Sequence, residues 1–154
     1  MKPAPAVLLY FALFLAYSEE TLFAQKTIPV LITEKEATMP DIPDTGSAIL
    51  EMEKMKGPVI RVNSPKNGET YPRPIKVDME FISPENVLVD IKTLQVLYVK
   101  LIEIDITDRI KPFATEKGIF IPEADIPKGR HKIKITIADA GGNKSSKDLI
   151  FMVK

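Results

Sequence analysis

The chain has 154 residues, 45% of them hydrophobic, with 21 basic and 21 acidic side chains and no cysteine. That length and apolar share suit one folded domain with extra segments and argue against global disorder. A net charge of zero with interspersed signs leaves no basic stripe for nucleic acid. The lack of cysteine removes disulfides, thiolate metal sites, cysteine nucleophiles and lipid attachment at cysteine.

At the start, Lys2 precedes an uncharged run from Ala6 to Tyr17, and Glu19-Glu20 follow soon after. These twelve residues would make about 18 Å of helix, against roughly 30 Å of hydrocarbon to cross. Residues 1–24 are therefore expected to be a secretory signal, cut after Ser18 or after Ala24. An uncleaved anchor is the alternative, and it is the only membrane attachment expected.

Residues 25–56 are expected to form a tether with local structure. Thr27-Ile-Pro-Val-Leu-Ile-Thr33 is a short apolar piece, and Thr33 and Glu36 have capping-box spacing. Pro40 and Pro43 keep any helix short. Asp44-Thr-Gly-Ser47 suits a turn, and Ala48 to Lys56 could form two helical turns.

From Gly57 to Lys154 the period becomes two. Val59 to Asn63 is a predicted strand, closed by the Ser64-Pro-Lys-Asn-Gly68 turn. Pro74 to Phe81 alternates, with Ile75, Val77, Met79 and Phe81 on one face and Lys76, Asp78 and Glu80 on the other. Leu94 to Leu101 is a strand, and Ile102 to Thr107 continues it or turns to a neighbour. Ile119 to Ile121 is short. Arg130 to Ala138 and Ser145 to Val153 form a hairpin around Asp139-Ala-Gly-Gly-Asn143. About seven short strands at this spacing predict an all-β antiparallel sandwich.

On several of these pieces the chain resembles bacterial immunoglobulin-like domains. They are Val62-Asn-Ser-Pro-Lys-Asn-Gly68, Val89-Asp-Ile-Lys-Thr-Leu94, Ile104-Asp-Ile-Thr107, Ile121 through Pro127-Lys-Gly-Arg-His131, and Ala138-Asp-Ala-Gly-Gly-Asn143. The resemblance covers roughly two thirds of the chain and implies an immunoglobulin-like sandwich of an exported protein. Such modules serve adhesion, spacing, accessory binding and envelope assembly, so the likeness implies no single role. The chain carries one copy, without the cysteine pair or tryptophan of antibody domains.

No catalytic, cofactor-binding or metal site is expected. His131, the only histidine, shares parity with Ile133, Ile135 and Ile137 and should be structural. Asp105 and Asp108 bracket a strand end. Asp139 and Asn143 suit a turn that visits φ > 0, with calcium as the alternative reading. Asp78 and Glu80 belong to a solvated strand face rather than a glycosidase pair. The apolar positions that fit no core are Leu97, Val99, Ile150 and Met152. If Leu94, Val96 and Tyr98 and then Leu149, Phe151 and Val153 point inward, these four point out, on two strands flanking Arg130 to Ala138. Either the Ile28–Ile32 segment folds back over or beside that sheet, or a partner protein covers it. The chain is thus expected to be a non-catalytic interaction or accessory module of the bacterial cell envelope, periplasmic or at the cell surface, that binds a protein through a sheet face or strand edge. A carbohydrate- or calcium-dependent binding module is the alternative.

Overall fold

Alternation of branched apolar and charged side chains suits a ribbon with one face buried, and the chain uses it to build two facing layers. A computed structural model describes residues 27–43, 57–84 and 87–154. The predicted signal over 1–24, the turn at 44–47 and the helical turns at 48–56 lie outside those residues.

The strands are β1 (Val59–Ser64), β2 (Thr70–Tyr71), β3 (Ile75–Ile82), β4 (Val89–Val99), β5 (Glu103–Asp105), β6 (Ala114–Thr115), β7 (Gly118–Ala124), β8 (Gly129–Asp139) and β9 (Lys144–Val153). Sheet I has the order β1-β3-β7-β6, and sheet II the order β2-β9-β8-β4-β5. All pairs are antiparallel except β2, which runs parallel to β9 through Thr70 and Met152. The result is an all-β sandwich. Among the described residues two short helices, α1 (Glu34–Ala37) and α2 (Thr107–Ile110), accompany it, and α2 runs on into a 3-10 turn at Lys111–Phe113.

The inward sets follow the predicted parity. Ile75, Val77, Met79 and Phe81 of β3 are buried, facing Val96 and Tyr98 of β4, Ile133, Ile135 and Ile137 of β8, and Leu149, Phe151 and Val153 of β9 in one core. Gly118 lets β7 approach β3: a Cβ there would lie 2.0 Å from the Met79 carbonyl oxygen, and its φ is +148°. No side chain fits.

Local departures from the sequence pattern have local causes. β4 begins at Val89, before the predicted Leu94, because Val89 and Asp90 pair with Asp139 and Ala138 of β8; the register then slips between Asp90 and Gln95. The displaced segment keeps its place through Thr93, whose hydroxyl donates to the Asp90 carbonyl at 2.6 Å and accepts the Ala138 N–H at 2.8 Å. β4 and β5 are separate strands joined by a tight turn, settling the choice left open at Ile102. The β8–β9 turn is tied by Asp139, as its composition predicts.

The described part of the predicted tether is packed against the sandwich. Val30 makes a parallel bridge to Asp125 just beyond β7, and Leu31 and Ile32 belong to the core. Thr33 caps α1 reciprocally: its N–H donates to Glu36 Oε2 at 2.8 Å and its Oγ1 accepts the Glu36 N–H at 3.3 Å. The helix ends at Ala37, and the Pro40 carbonyl then accepts the Leu101 N–H at 2.8 Å. Residues 27–43 therefore form a strap. It crosses from the end of β7 in sheet I, past α2, to the end of β4 in sheet II.

Candidate interaction surface

β4 and β9 do flank β8, so the four apolar positions share one face of sheet II. Leu97 lies beside Lys134, which is opposite Asp148; Ile150 is opposite Lys132, and Met152 is opposite Arg130. A basic column thus runs between two apolar ones. Lys132 Nζ reaches Asp148 at 3.2 Å, so its aliphatic stem lies along the face while its charge stays hydrated.

The four positions are not equally open. Met152 is exposed, while Leu97 and Ile150 are half-buried. Val99 is buried and does not belong to an open surface. That correction has a structural setting: the strap meets the chain immediately after Val99. Lys100 Nζ contacts Asp41 at 2.7 Å, and Leu101 N–H donates to Pro40. Leu101 and Ile102, at the β4–β5 turn, are instead largely exposed. Parity marks which way a side chain points, but not what lies over it.

The strap is held by three carboxylates, each on a different cation of the sandwich. Arg109 of α2 grips Glu36 with Nη1 on Oε2 at 2.8 Å and Nη2 on Oε1 at 2.7 Å, and the same Nη1 donates to the Leu31 carbonyl at 2.9 Å. This forked bond, aided by the Thr33 cap, holds the Glu36 carboxyl at a pKa of about 2 against its burial. Arg73, before β3, spans Glu34 Oε1 at 3.3 Å and Asp125 Oδ1 at 2.7 Å. Lys100 is the third. Burial lowers its pKa, but hydrogen bonds to Asp41 and Tyr98 outweigh that and raise it, so the amine stays charged. Composition gave no sign of these cations; the only hint was Glu36 in the capping box.

His131 is enclosed between Tyr98 and Phe151, with ring centroids 5.7 and 5.6 Å away. Its Nε2 lies 2.8 Å from the Pro127 carbonyl oxygen and its Nδ1 3.1 Å from the Tyr98 hydroxyl. A carbonyl only accepts, so Nε2 carries the proton and Nδ1 accepts the Tyr98 O–H. Burial lowers the imidazole pKa more than the Pro127 bond restores it. The neutral ring completes a buried polar pair in the core, which is the structural role its parity suggests.

The acidic candidates are each engaged locally. Asp139 Oδ1 accepts the N–H groups of Gly141 and Asn143 at 2.9 Å, and Oδ2 accepts Asn143 Nδ2 at 3.0 Å. The Asn143 side chain, then the backbone donors, lower its pKa. With Gly142 at φ +80°, this is the turn chemistry expected of an Asp-to-Asn loop; calcium would have to displace those donors. Asp105 accepts the Thr107 N–H at 2.8 Å where α2 begins, and Asp108 pairs with Lys111. Asp78 takes Lys76 at 2.6 Å and Asn63 at 3.2 Å, while Glu80 takes Arg61 at 3.0 Å. These form a polar ladder on the outer face of sheet I. Among the described residues no three His, Asp or Glu side chains gather as a metal set, and no helix is long and apolar enough to cross a membrane.

No protein-family model matches this sequence, and no curated protein does. A solved endo-β-1,4-mannanase from Thermotoga petrophila is similar to it in structure, with 18% sequence identity and a TM-score of 0.45. The match covers 71% of this chain and 21% of that enzyme, so the chain spans about a fifth of the enzyme's length.

Proposed function

We propose that this chain is an exported, non-catalytic interaction module of the bacterial cell envelope, with an immunoglobulin-like sandwich that binds a protein partner through the outer face of sheet II. The observation that carries the reading is the set of Leu97, Ile150 and Met152, partly or fully open around Lys132 and Lys134. Apolar side chains interleaved with basic ones suit a partner that buries hydrocarbon while offering carboxylates at the rim. The export part of the proposal draws support from the apolar run of residues 6–17 and the acidic pair that follows it. The local engagement of Asp78, Glu80, Asp139 and His131 supports a module without catalysis.

Co-purification from envelope fractions tests this, using the wild-type chain, Leu97→Lys, Ile150→Lys and Phe120→Lys. Phe120 is exposed on sheet I and serves as the control. A partner lost by both sheet II variants and kept by Phe120→Lys is the expected result. A partner kept by all three removes the proposed face.

A further inference from the structure

We infer that the strap occupies, in cis, a groove shaped for an aliphatic-acidic peptide that carries one capped helical turn, and that a partner segment of the same chemistry can take its place. This groove lies on the flank of the sandwich and meets the sheet II side only at the end of β4, next to Val99.

The attachment of residues 27–43 has the form of a bound ligand rather than of a strand. Its backbone makes one isolated bridge, Val30 to Asp125, with Leu31 N–H donating to the Asp125 carbonyl at 3.1 Å and Asp125 N–H to the Pro29 carbonyl at 2.9 Å. Beyond that bridge the strap backbone accepts only from Arg109 Nη1 at Leu31 and from the Leu101 N–H at Pro40 among its contacts with the sandwich, and the rest of the grip is by side-chain anchors. Leu31 and Ile32 are 2% and 1% exposed, and three carboxylates seat on Arg73, Arg109 and Lys100. Adjacent aliphatic anchors in a pocket, with charged pairs around them, are the features of a docked linear peptide.

The cations also account for recognition. Lys100 is only 3% exposed, and its Nζ sits 5.4 Å from the centroid of the Tyr98 ring. That burial is measured with the strap seated, so an occupant that covered the amine without a carboxylate would leave the charge beside only the aromatic ring and phenol, a costly arrangement. The groove therefore favours an acidic occupant. An apolar void of about 20 Å³ remains beside Leu31, lined by residues that include Ile110, Ile126 and Ile133. A competing peptide with a larger anchor than leucine at that place would fill it.

Because the strap is present in every molecule, a competitor sees only the fraction with the groove open. Its apparent affinity is the intrinsic affinity reduced by that fraction. Weakening the strap without touching the groove must then strengthen binding in trans.

The test uses a fluorescent synthetic peptide of residues 27–43 and the full chain, either wild type, Glu36→Gln or Leu31→Ala. Anisotropy should show the peptide binding Glu36→Gln about tenfold more tightly than wild type. Leu31→Ala should bind it more tightly still, and adding the peptide should raise the melting temperature of both variants. Hydrogen exchange at the Leu31 and Leu101 amides should be faster than in the centre of β8 in the wild-type chain. If both variants stay folded yet bind no better than wild type, or if Glu36→Gln loses the whole β spectrum, the strap is an inseparable part of the core and the inference fails.

Discussion

Between β7 and β4 the gap between the sheets is crossed by side chains: Leu31 and Ile32 from the strap, with Glu36 held by Arg109 and Asp41 by Lys100. Between β1 and β9 it is narrowed by backbone. Gly57 enters β1 so close to the start of β9 that a Cβ would lie 2.5 Å from the Asn143 carbonyl oxygen and 2.7 Å from the Lys144 carbonyl carbon. One flank is closed by charge pairing over an apolar anchor, the other by the absence of a side chain. The first kind of closure responds to pH through Glu36. The second answers only to volume.

Removing an anchor should do most damage. Leu31→Ala takes a 2% exposed side chain from the core and should cost about 2–5 kcal/mol, the range for such truncations. Urea denaturation at neutral pH measures this, and a loss below about 1 kcal/mol would mean that the strap flank relaxes around the change. Gly57→Ala attacks the opposite flank. The new methyl meets the Asn143 and Lys144 backbone as well as Ser145 Oγ at 2.8 Å, and overpacking of that kind should cost about 1–3 kcal/mol. Its effect should be the same at pH 3 as at pH 7, since no titrating group is involved.

The effect that vanishes with pH is the most diagnostic. Glu36 has its pKa lowered from an ordinary 4.5 to about 2, with a side chain 12% exposed. A carboxylate depressed in the folded state stabilises fully above pH 4.5 and progressively less as pH falls toward 2. That shift corresponds to at most about 3 kcal/mol. Glu36→Gln should therefore cost about 1–3 kcal/mol at pH 7 and almost nothing near pH 2. A difference from wild type that is flat across that window would show that the Glu36–Arg109 pair does not hold the strap.

Much of the sandwich is legible in the residues alone. Ile75, Val77, Met79 and Phe81 alternate with charges, so a strand there can bury only that set. The same holds for Ile133, Ile135 and Ile137, and the Asp139–Asn143 turn follows from residues that tolerate positive φ. The Thr33–Glu36 cap was legible for the same reason, since its partners stand three residues apart. The candidate face was only partly legible. Parity set the direction of Leu97, Val99, Ile150 and Met152, but the burial of Val99 depends on what else reaches the end of β4. The parallel pairing of β2 with β9 and the slip between Asp90 and Gln95 also left no trace in hydrophobic period.

By itself, the sequence determined where the chain is extended, which side of each ribbon is apolar and where it turns, because those choices are made among neighbours a few residues apart. Tertiary structure decided that residues 27–43 clamp the flank, since Glu36 finds Arg109 across 73 positions and Asp41 finds Lys100 across 59. Charge attraction between groups so distant along the chain carries no periodic signal. It takes effect only at the short distances that the packed sandwich sets between those groups.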